Sequence, residues 1–594
     1  VGELVFAHRA LELSREREAP MSSPTTLLAE RFERALVAAF GPDFAGTDAA
    51  LRRSDHADYQ ANVALGLKKR VPGAPRDTAA KLLAAAQLDD LCEKVEIAGP
   101  GFINLTLRPE ILADLAHEAA RDPRLGVACT DAPDTVVIDY SAPNIAKEMH
   151  VGHLRSTILG DAVARTMEFL GHRVVRQNHL GDWGTPFGML IEHLIDLGED
   201  ATDLTVGDLN GFYKAARAKF EASPEFAERA RKRVVELQAG DARTIALWKR
   251  LVDESTRYFQ AVYDKLGVTL RPEHAAGESL YNDRLAGVAE ELERRELARV
   301  DDGALCAFPP GFSGKGGAPV PLIVRKQDGG YGYATTDLAA VKYRVDALGG
   351  TRLVYVVGAP QAQHLAMVYK TAELAGWLAP PVRAEHMAFG SVLGADGKMF
   401  KSRSGDTVKL MELLVEAEER ALAAVREKNA DLDEAAQRAI AHAVGIGAIK
   451  YADLSSDRVK DYVFEWSRML AFEGNTGPYL MYQHARIRSI FRRAGLTPNP
   501  NERIVVEAKE ERALVLALLA FEGVVRDVAA HLEPHRMCTY LYELASTFSS
   551  FYERCPVLKS EGATRASRLA LCDLTARVLA QGLSLLGIEA PEQM

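Results

Sequence analysis

Residues 135 to 177 carry one complete β-α-β unit, and it constrains the rest of the chain more than any other stretch. Thr135-Val136-Val137-Ile138-Asp139-Tyr140 is a short apolar strand, and a polar loop follows from Ser141 to Met149. A helix is expected from about Val151 to Leu170, closed by Gly171, with a second strand at once from Arg173 to Gln177. This is the repeating unit of a parallel sheet, whose ligands bind beyond the carboxyl ends of the strands.

The unit sits inside a longer plan. At 594 residues the chain exceeds one hydrophobic core and calls for roughly three to five domains. Residues 21–128 read as a small α+β domain. Leu27 to Phe40 and Asp77 to Leu91 have helical periodicity, the latter with Asp77 and Thr78 as capping candidates. Val95 to Leu107 alternates around Gly99-Pro100-Gly101 as a hairpin. Linker residues surround 122–134, and an α/β domain is expected over 129–415. Within it, residues 200–265 are helical and charged, an insertion rather than part of the sheet. Strand signals return at Val320–Val324 and Leu353–Val357, with a helix from Thr336 to Leu348 between them. From 416 to 594 the pattern is helical with no strand run. Residues 1–20 read as an extension, because Met21-Ser22-Ser23-Pro24 has the character of a start.

Composition excludes several classes. No apolar run reaches the roughly 20 residues that cross a bilayer, and the first residues lack the pattern of a secretory signal. Six scattered cysteines form no C-x-x-C pair, so neither a zinc site nor a disulfide framework is expected; buried, reduced thiols in a cytoplasmic protein are. The net charge of −10 argues against indiscriminate polyanion binding, but residues 129–455 carry −7 of it. A shaped basic groove elsewhere remains compatible with an acidic total.

Two elements carry chemistry. His150-Val151-Gly152-His153 opens the helix after the first strand, where unpaired backbone N–H groups and the helix dipole favour an anion. Gly152 lets a flat base or a phosphate approach the backbone, and two imidazoles suit a triphosphate whose charge grows during attack. A helix cap with two incidental histidines would have the same letters. About 250 residues later, Lys398-Met399-Phe400-Lys401-Ser402 lies between Gly397 and Gly405, a cationic loop suited to a departing pyrophosphate; alone it also fits a solvated turn.

Together these elements resemble the HIGH and KMSKS signatures of class I aminoacyl-tRNA synthetases, standing here as HVGH and KMFKS. The context Ser141-Ala142-Pro143-Asn144-Ile145-Ala146-Lys147-Glu148-Met149 before HVGHLRST is similar to the arginyl-specific form. So are Asn178-His179-Leu180-Gly181-Asp182-Trp183-Gly184, Gly474-Asn475-Thr476-Gly477-Pro478-Tyr479 and the closing stretch from Leu585. Phe400 departs from the usual Ser, and Pro186 stands where a glutamine is more typical. The resemblance covers 21–594 and implies a doubly wound, Rossmann-type catalytic domain between an N-terminal α+β domain and an all-α anticodon-binding domain. It implies an arginyl-tRNA synthetase, with ATP and Mg2+, L-arginine and the tRNA for arginine as partners, in a cytoplasmic monomer. A synthetase of this fold for another amino acid, or a non-catalytic RNA-binding paralogue, would share the fold.

The resemblance also assigns residues. His150, Gly152, His153, Gly358, Lys398, Lys401 and Ser402 would bind ATP, with His150, His153, Lys147 and Lys401 acting in catalysis. Asn144, Glu278, Tyr333, Asp337 and Gln361 would hold arginine. A planar cation calls for carboxylates beside an aromatic or amide wall, although Asp337 alone could be a first-turn helix acid. His364 is compatible with the same pocket or with simple helix packing. Phe102 and Asn104 would meet the tRNA elbow, or be core and edge of a hairpin. Arg486, Arg488, Arg492 and Arg493 would face anticodon-arm phosphates, or water.

Overall fold

The computed structural model describes residues 23–198, 209–400, 408–428 and 431–594. The expected extension, Lys401 and Ser402 therefore lie outside the described residues.

The N-terminal unit pairs helices Pro24–Phe40 and Pro75–Ala86 with an antiparallel sheet. Its strands are β1 (Leu51–Arg53), β2 (Tyr59–Ala61), β3 (Cys92–Ala98) and β4 (Phe102–Leu107), in the order β1-β2-β4-β3. Leu28, Phe32, Leu36, Leu82, Ile103 and Leu105 share its core. The second helix begins before the expected Asp77 and Thr78. Pro75 supplies the helical φ in the first turn, and Ala74 stands at the N-cap with no side-chain bond. The β3–β4 turn needs glycine at 101, where φ is +144° and a Cβ would meet the Pro75 carbonyl oxygen at 2.8 Å.

The central sheet follows. β5 (Thr135–Asp139) connects through the helix Val151–Phe169 to β6 (Arg173–Gln177). A separate antiparallel sheet holds β7 (Ala298–Asp301), β8 (Ala304–Ala307) and β9 (Leu322–Arg325), so the strand expected near 320–324 is not part of the parallel sheet. β10 (Arg352–Tyr355) and β11 (Arg383–His386) then return to it, giving four parallel strands in the order β11-β10-β5-β6. The chain leaves β5 toward one edge and β10 toward the other. The switch point between these two strands is where such sheets open a crevice for ligands.

Side-chain alternation explains why both faces are covered. Val136 and Ile138 of β5 join one apolar cluster, whereas Val137 joins the other with Leu338, Val341 and Val368. The helix Val151–Phe169 is buried along most of its surface, polar groups included. Arg155 meets Asp453 at 3.2 Å with both side chains at most 1% exposed. Ser156 Oγ donates to the Val356 carbonyl at 2.7 Å, joining the helix to the end of β10.

Three helices, Leu209–Ala222, Pro224–Gln238 and Ala242–Leu266, occupy the expected insertion. Pro186 opens the preceding helix, Pro186–Leu197. Beyond the sheet, β12 (Val392–Leu393) pairs in parallel with β13 (Tyr462–Val463), a short strand in a region expected to be wholly helical. The helix Leu410–Lys428 runs through the boundary expected at 415/416. Helices Glu434–Leu454, Gly477–Ala494, Lys509–Leu518, Phe521–His531, His535–Arg554 and Gly562–Leu585 complete the chain. Lys450 Nζ donates to the carbonyls of Leu266 (2.8 Å) and Gly587 (2.5 Å), fastening the closing stretch behind the central helix. Among the described residues no helix is long and apolar enough to cross a membrane. All six cysteines are free thiols; Cys129 is exposed, against the expectation that all would be buried.

Candidate active site

The loop after β5 is built from unusual backbone. Ser141, Ala142 and Ala146 have φ of +75°, +49° and +59°, a left-handed conformation that costs each non-glycine residue about 1–2 kcal/mol. Hydrogen bonds from distant elements hold it there. Ser141 N–H donates to Ser156 Oγ (2.9 Å) and Ala142 N–H to Asn178 Oδ1 (3.0 Å). From the helix Ala242–Leu266, Ser255 Oγ accepts from Ala146 N–H (2.9 Å), and the Tyr263 hydroxyl lies 2.8 Å from Ser141 Oγ. The insertion thus buttresses the loop that delivers the histidines.

His150 and His153 form a reciprocal cap. His150 Nδ1 accepts from Gly152 N–H at 3.0 Å, and His153 Nδ1 accepts from His150 N–H at 3.1 Å. Their rings lie 4.0 Å apart. Because both Nδ1 atoms are acceptors, each neutral ring carries its proton on Nε2. Burial, aided by Lys147, lowers His150 below the ordinary histidine range, and burial, aided by His150, takes His153 down to about 3. The pair presents two neutral N–H donors at a helix N-terminus. Gly152 is required by the cap itself, since a Cβ would stand 2.8 Å from His150 Cε1.

Lys147 places its Nζ 4.4 Å from the centre of the Tyr213 ring, an aromatic of the insertion 66 residues away that no local pattern pairs with it. Lys398 is exposed, and Met399 pairs with Leu393 as an isolated bridge. Phe400 stacks on Phe464 with ring centres 4.7 Å apart. Gly358 follows β10 and bridges to Phe389; Gln361, exposed, is the N-cap of the helix Ala362–Leu374.

A second group is acidic. Glu278, half-buried, is pushed up to about 7 by burial and by the neighbouring carboxylates of Asp182 and Asp337. Asp337 Oδ2 lies 2.6 Å from His364 Nε2, so His364 is joined to the pocket rather than merely packed in its helix. Tyr333, 68% exposed, meets the His364 ring edge-on at 4.9 Å. Asn144 is exposed and bridges backbone to backbone with Gly181, which puts it on the same rim. Asp182 is the member that motif reading passed over. It was visible inside Asn178–Gly184, but its contact with Ser279 spans 97 residues.

The remaining expected residues lie elsewhere. Phe102 and Asn104 share the face of β4 opposite Ile103 and Leu105; Phe102 is half-buried and Asn104 buried, its Oδ1 accepting from Gln60 Nε2 at 2.8 Å. Arg488 is half-buried, with Nη1 2.8 Å from Asp573 inside the helical domain. Arg486 lies over the Tyr552 ring at 5.4 Å. Arg492 is exposed, with Nη1 on the Glu592 carbonyl at 2.7 Å, and Arg493 beside it is exposed.

Comparison with known proteins agrees along the whole chain. Residues 118–466 match the family described as tRNA synthetases class I (R), catalytic domain. Residues 26–107 match the arginyl tRNA synthetase N terminal domain, and 480–594 the DALR anticodon binding domain. An arginine–tRNA ligase of Thermobifida fusca is 56% identical over 97% of this chain and all of its own, and one of Frankia casuarinae 52% identical over 93% and 96%. The arginyl-tRNA synthetase structure of Plasmodium falciparum superposes with a TM-score of 0.83 at 27% identity, covering 97% of this chain and 100% of its own. That of Thermus thermophilus gives 0.80 at 27% identity, with coverage of 96% and 99%. With a relative 56% identical over 97% of the chain and a class I (R) catalytic-domain match over residues 118–466, this protein belongs to the arginyl-tRNA synthetases of class I.

Proposed function

We propose that the crevice between β5 and β10 joins L-arginine to the α-phosphate of ATP and then passes the arginyl group to the terminal ribose of its tRNA. The observation that carries this reading is the acidic group, in which burial, with the charges of Asp182 and Asp337, raises Glu278 to about 7. Clustered carboxylates repel one another until a cation is placed among them, and a guanidinium offers that charge in a plane matched to carboxylates.

The family resemblance supports the following roles. His150 and His153 donate from Nε2 to the ATP phosphates, where charge develops as the arginine carboxylate attacks. Gly152 keeps the adenine side open, and Gly358 borders the nucleotide across the switch point. The nucleotide enters as its Mg2+ complex. Lys147, Lys398, Lys401 and Ser402 attend the departing pyrophosphate. Glu278 and Asp337 take the guanidinium with Tyr333 as a wall, and Asn144 and Gln361 hold the α-amino and carboxylate end. Residues 21–128 meet the tRNA elbow through Phe102 and Asn104, and residues 416–594 the anticodon arm, with Arg486 and Arg492 as its cations. The enzyme works as a monomer in the cytoplasm.

The test is exchange of labelled pyrophosphate into ATP with each amino acid, with and without tRNA. Exchange that depends on arginine in the presence of tRNA is expected. No arginine-dependent exchange with tRNA present refutes the reading.

A further inference from the structure

Of the segment 178–184 only Asp182 has entered above, as a charge beside Glu278, yet the whole segment ties two loops together. On one side Gly181 N–H donates to the Pro143 carbonyl (3.2 Å), and its carbonyl accepts from Ile145 N–H (3.1 Å). On the other, Asn178 N–H donates to the His274 carbonyl (2.8 Å), Ala276 N–H to the Asn178 carbonyl (2.9 Å), and Glu278 N–H to the Leu180 carbonyl (3.0 Å). One strip of backbone therefore sets both the Asn144 loop and the loop that bears Glu278.

Asp182 completes the second attachment. Its side chain is 4% exposed. Oδ1 accepts from Ser279 N–H at 2.9 Å and Oδ2 from Ser279 Oγ at 2.7 Å. A Cβ at Gly277 would overlap the same carboxylate, so the loop is shaped to let the two approach. The next backbone N–H, that of Trp183, reaches Glu278 itself. We propose that Asp182 is a positioning residue for arginine recognition: it fixes Gly277-Glu278-Ser279 through Ser279 and sets a second negative charge behind Glu278, so that the pocket is assembled in advance for a cation.

The charged groups around Glu278 are Asp182 from the 178–184 strip and Asp337 from the helix Tyr333–Asp346; His179 faces Asp182 and His364 faces Asp337. With Glu278 poised near 7, entry of a guanidinium favours its ionised form and releases a proton. Asp182 is part of the reason that the proton is there to release.

This inference rests on Glu278 gripping the guanidinium, and the experiments separate the two ideas. Asp182→Asn keeps an acceptor for Ser279 N–H and removes the charge, whereas Ser279→Ala removes one bond and keeps the charge. For Asp182→Asn we expect KM for arginine to rise about tenfold, with kcat and KM for ATP within about twofold. The acid limb of kcat/KM for arginine should move to lower pH, while Ser279→Ala leaves that limb in place. An unmoved limb in Asp182→Asn, or a limb moved equally by Ser279→Ala, overturns the proposal. A second measurement needs no variant. Calorimetry of arginine binding to the wild-type enzyme at pH 7, in buffers of different ionisation heat, should show release of a fraction of a proton. If arginine binds without proton release, the proposal fails even if Asp182→Asn does not fold. If arginine does not support exchange at all, the parent reading fails instead.

Discussion

His364 Nε2 lies 2.6 Å from Asp337 Oδ2, and the Tyr333 ring meets the same imidazole edge-on at 4.9 Å. Three residues from the beginnings of two helices thus form one array, and Asp337 is also one of the charges beside Glu278. His364→Ala leaves the Asp337 carboxylate without this partner, a loss of about 1–2 kcal/mol in its placement. The expected result is a rise in KM for arginine of about tenfold, at nearly constant KM for ATP. Asp337→Asn should exceed it, because the charge itself goes. Steady-state exchange at varied arginine and ATP decides the matter: equal effects on both substrates would remove the array from arginine binding.

The neutral state of the HVGH pair gives a prediction in rate and one in stability. His153→Asn should lower kcat about 10²-fold with near-normal arginine binding, since the lost donor serves the transition state. His153 sits near 3 against an ordinary 6.5, so the unfolded chain takes up a proton below 6.5 that the folded chain refuses. Its contribution to stability is complete above 6.5 and declines as pH falls toward 3. Melts at about pH 7 and pH 5 should show a larger acid loss in wild type than in His153→Asn.

Glu278 behaves in the opposite sense. Its folded value near 7 lies above the ordinary 4.5. Stability is therefore fully present below 4.5 and lost as pH rises through 7. Glu278→Gln should raise the melting temperature at about pH 8, show no gain at about pH 4, and abolish arginine-dependent exchange. A pocket that costs stability to await its ligand is the trade expected of a preformed binding site. A lower melting temperature for Glu278→Gln at pH 8 would contradict it.

Arg155 and Asp453 join the central helix to the helix Glu434–Leu454, both side chains at most 1% exposed. Burial raises Asp453 above the ordinary carboxylate range in spite of Arg155. Asp453→Ala strands a buried guanidinium and should cost about 3–5 kcal/mol in urea denaturation, whereas replacing both partners by apolar residues should recover much of it. If the double variant is as unstable as the single one, the cost is packing rather than charge.

Local chemistry was well written in the sequence. The strands β5 and β6 and the helix between them were legible from local pattern, as was the helical character of the described part of the insertion, though not its division into three helices. What escaped was non-local. Arg488 reads as a basic face until Asp573, 85 residues later, is folded against it. β12 and β13 are too short to signal themselves and exist only through each other. Asp182 could be named from its motif, but its work with Ser279 could not. Pro75 displaced the Asp77 cap because a fixed φ at a helix start competes with a side-chain cap, and sequence spacing does not rank the two.

The left-handed residues of the 141–149 loop carry a final consequence, for the order in which the enzyme is made. The loop and its histidines emerge from the ribosome more than a hundred residues before Ser255 and Tyr263, which hold Ser141 and Ala146 in place. His150 also bridges to Lys409, and Val151 N–H donates to the Val408 carbonyl at 3.1 Å. A nascent chain that has completed only β5, its helix and β6 therefore has the letters of a nucleotide site without its shape. An amino-terminal fragment that holds the histidine pair with all of these contacts extends to residue 409, so the arrangement is completed late in synthesis.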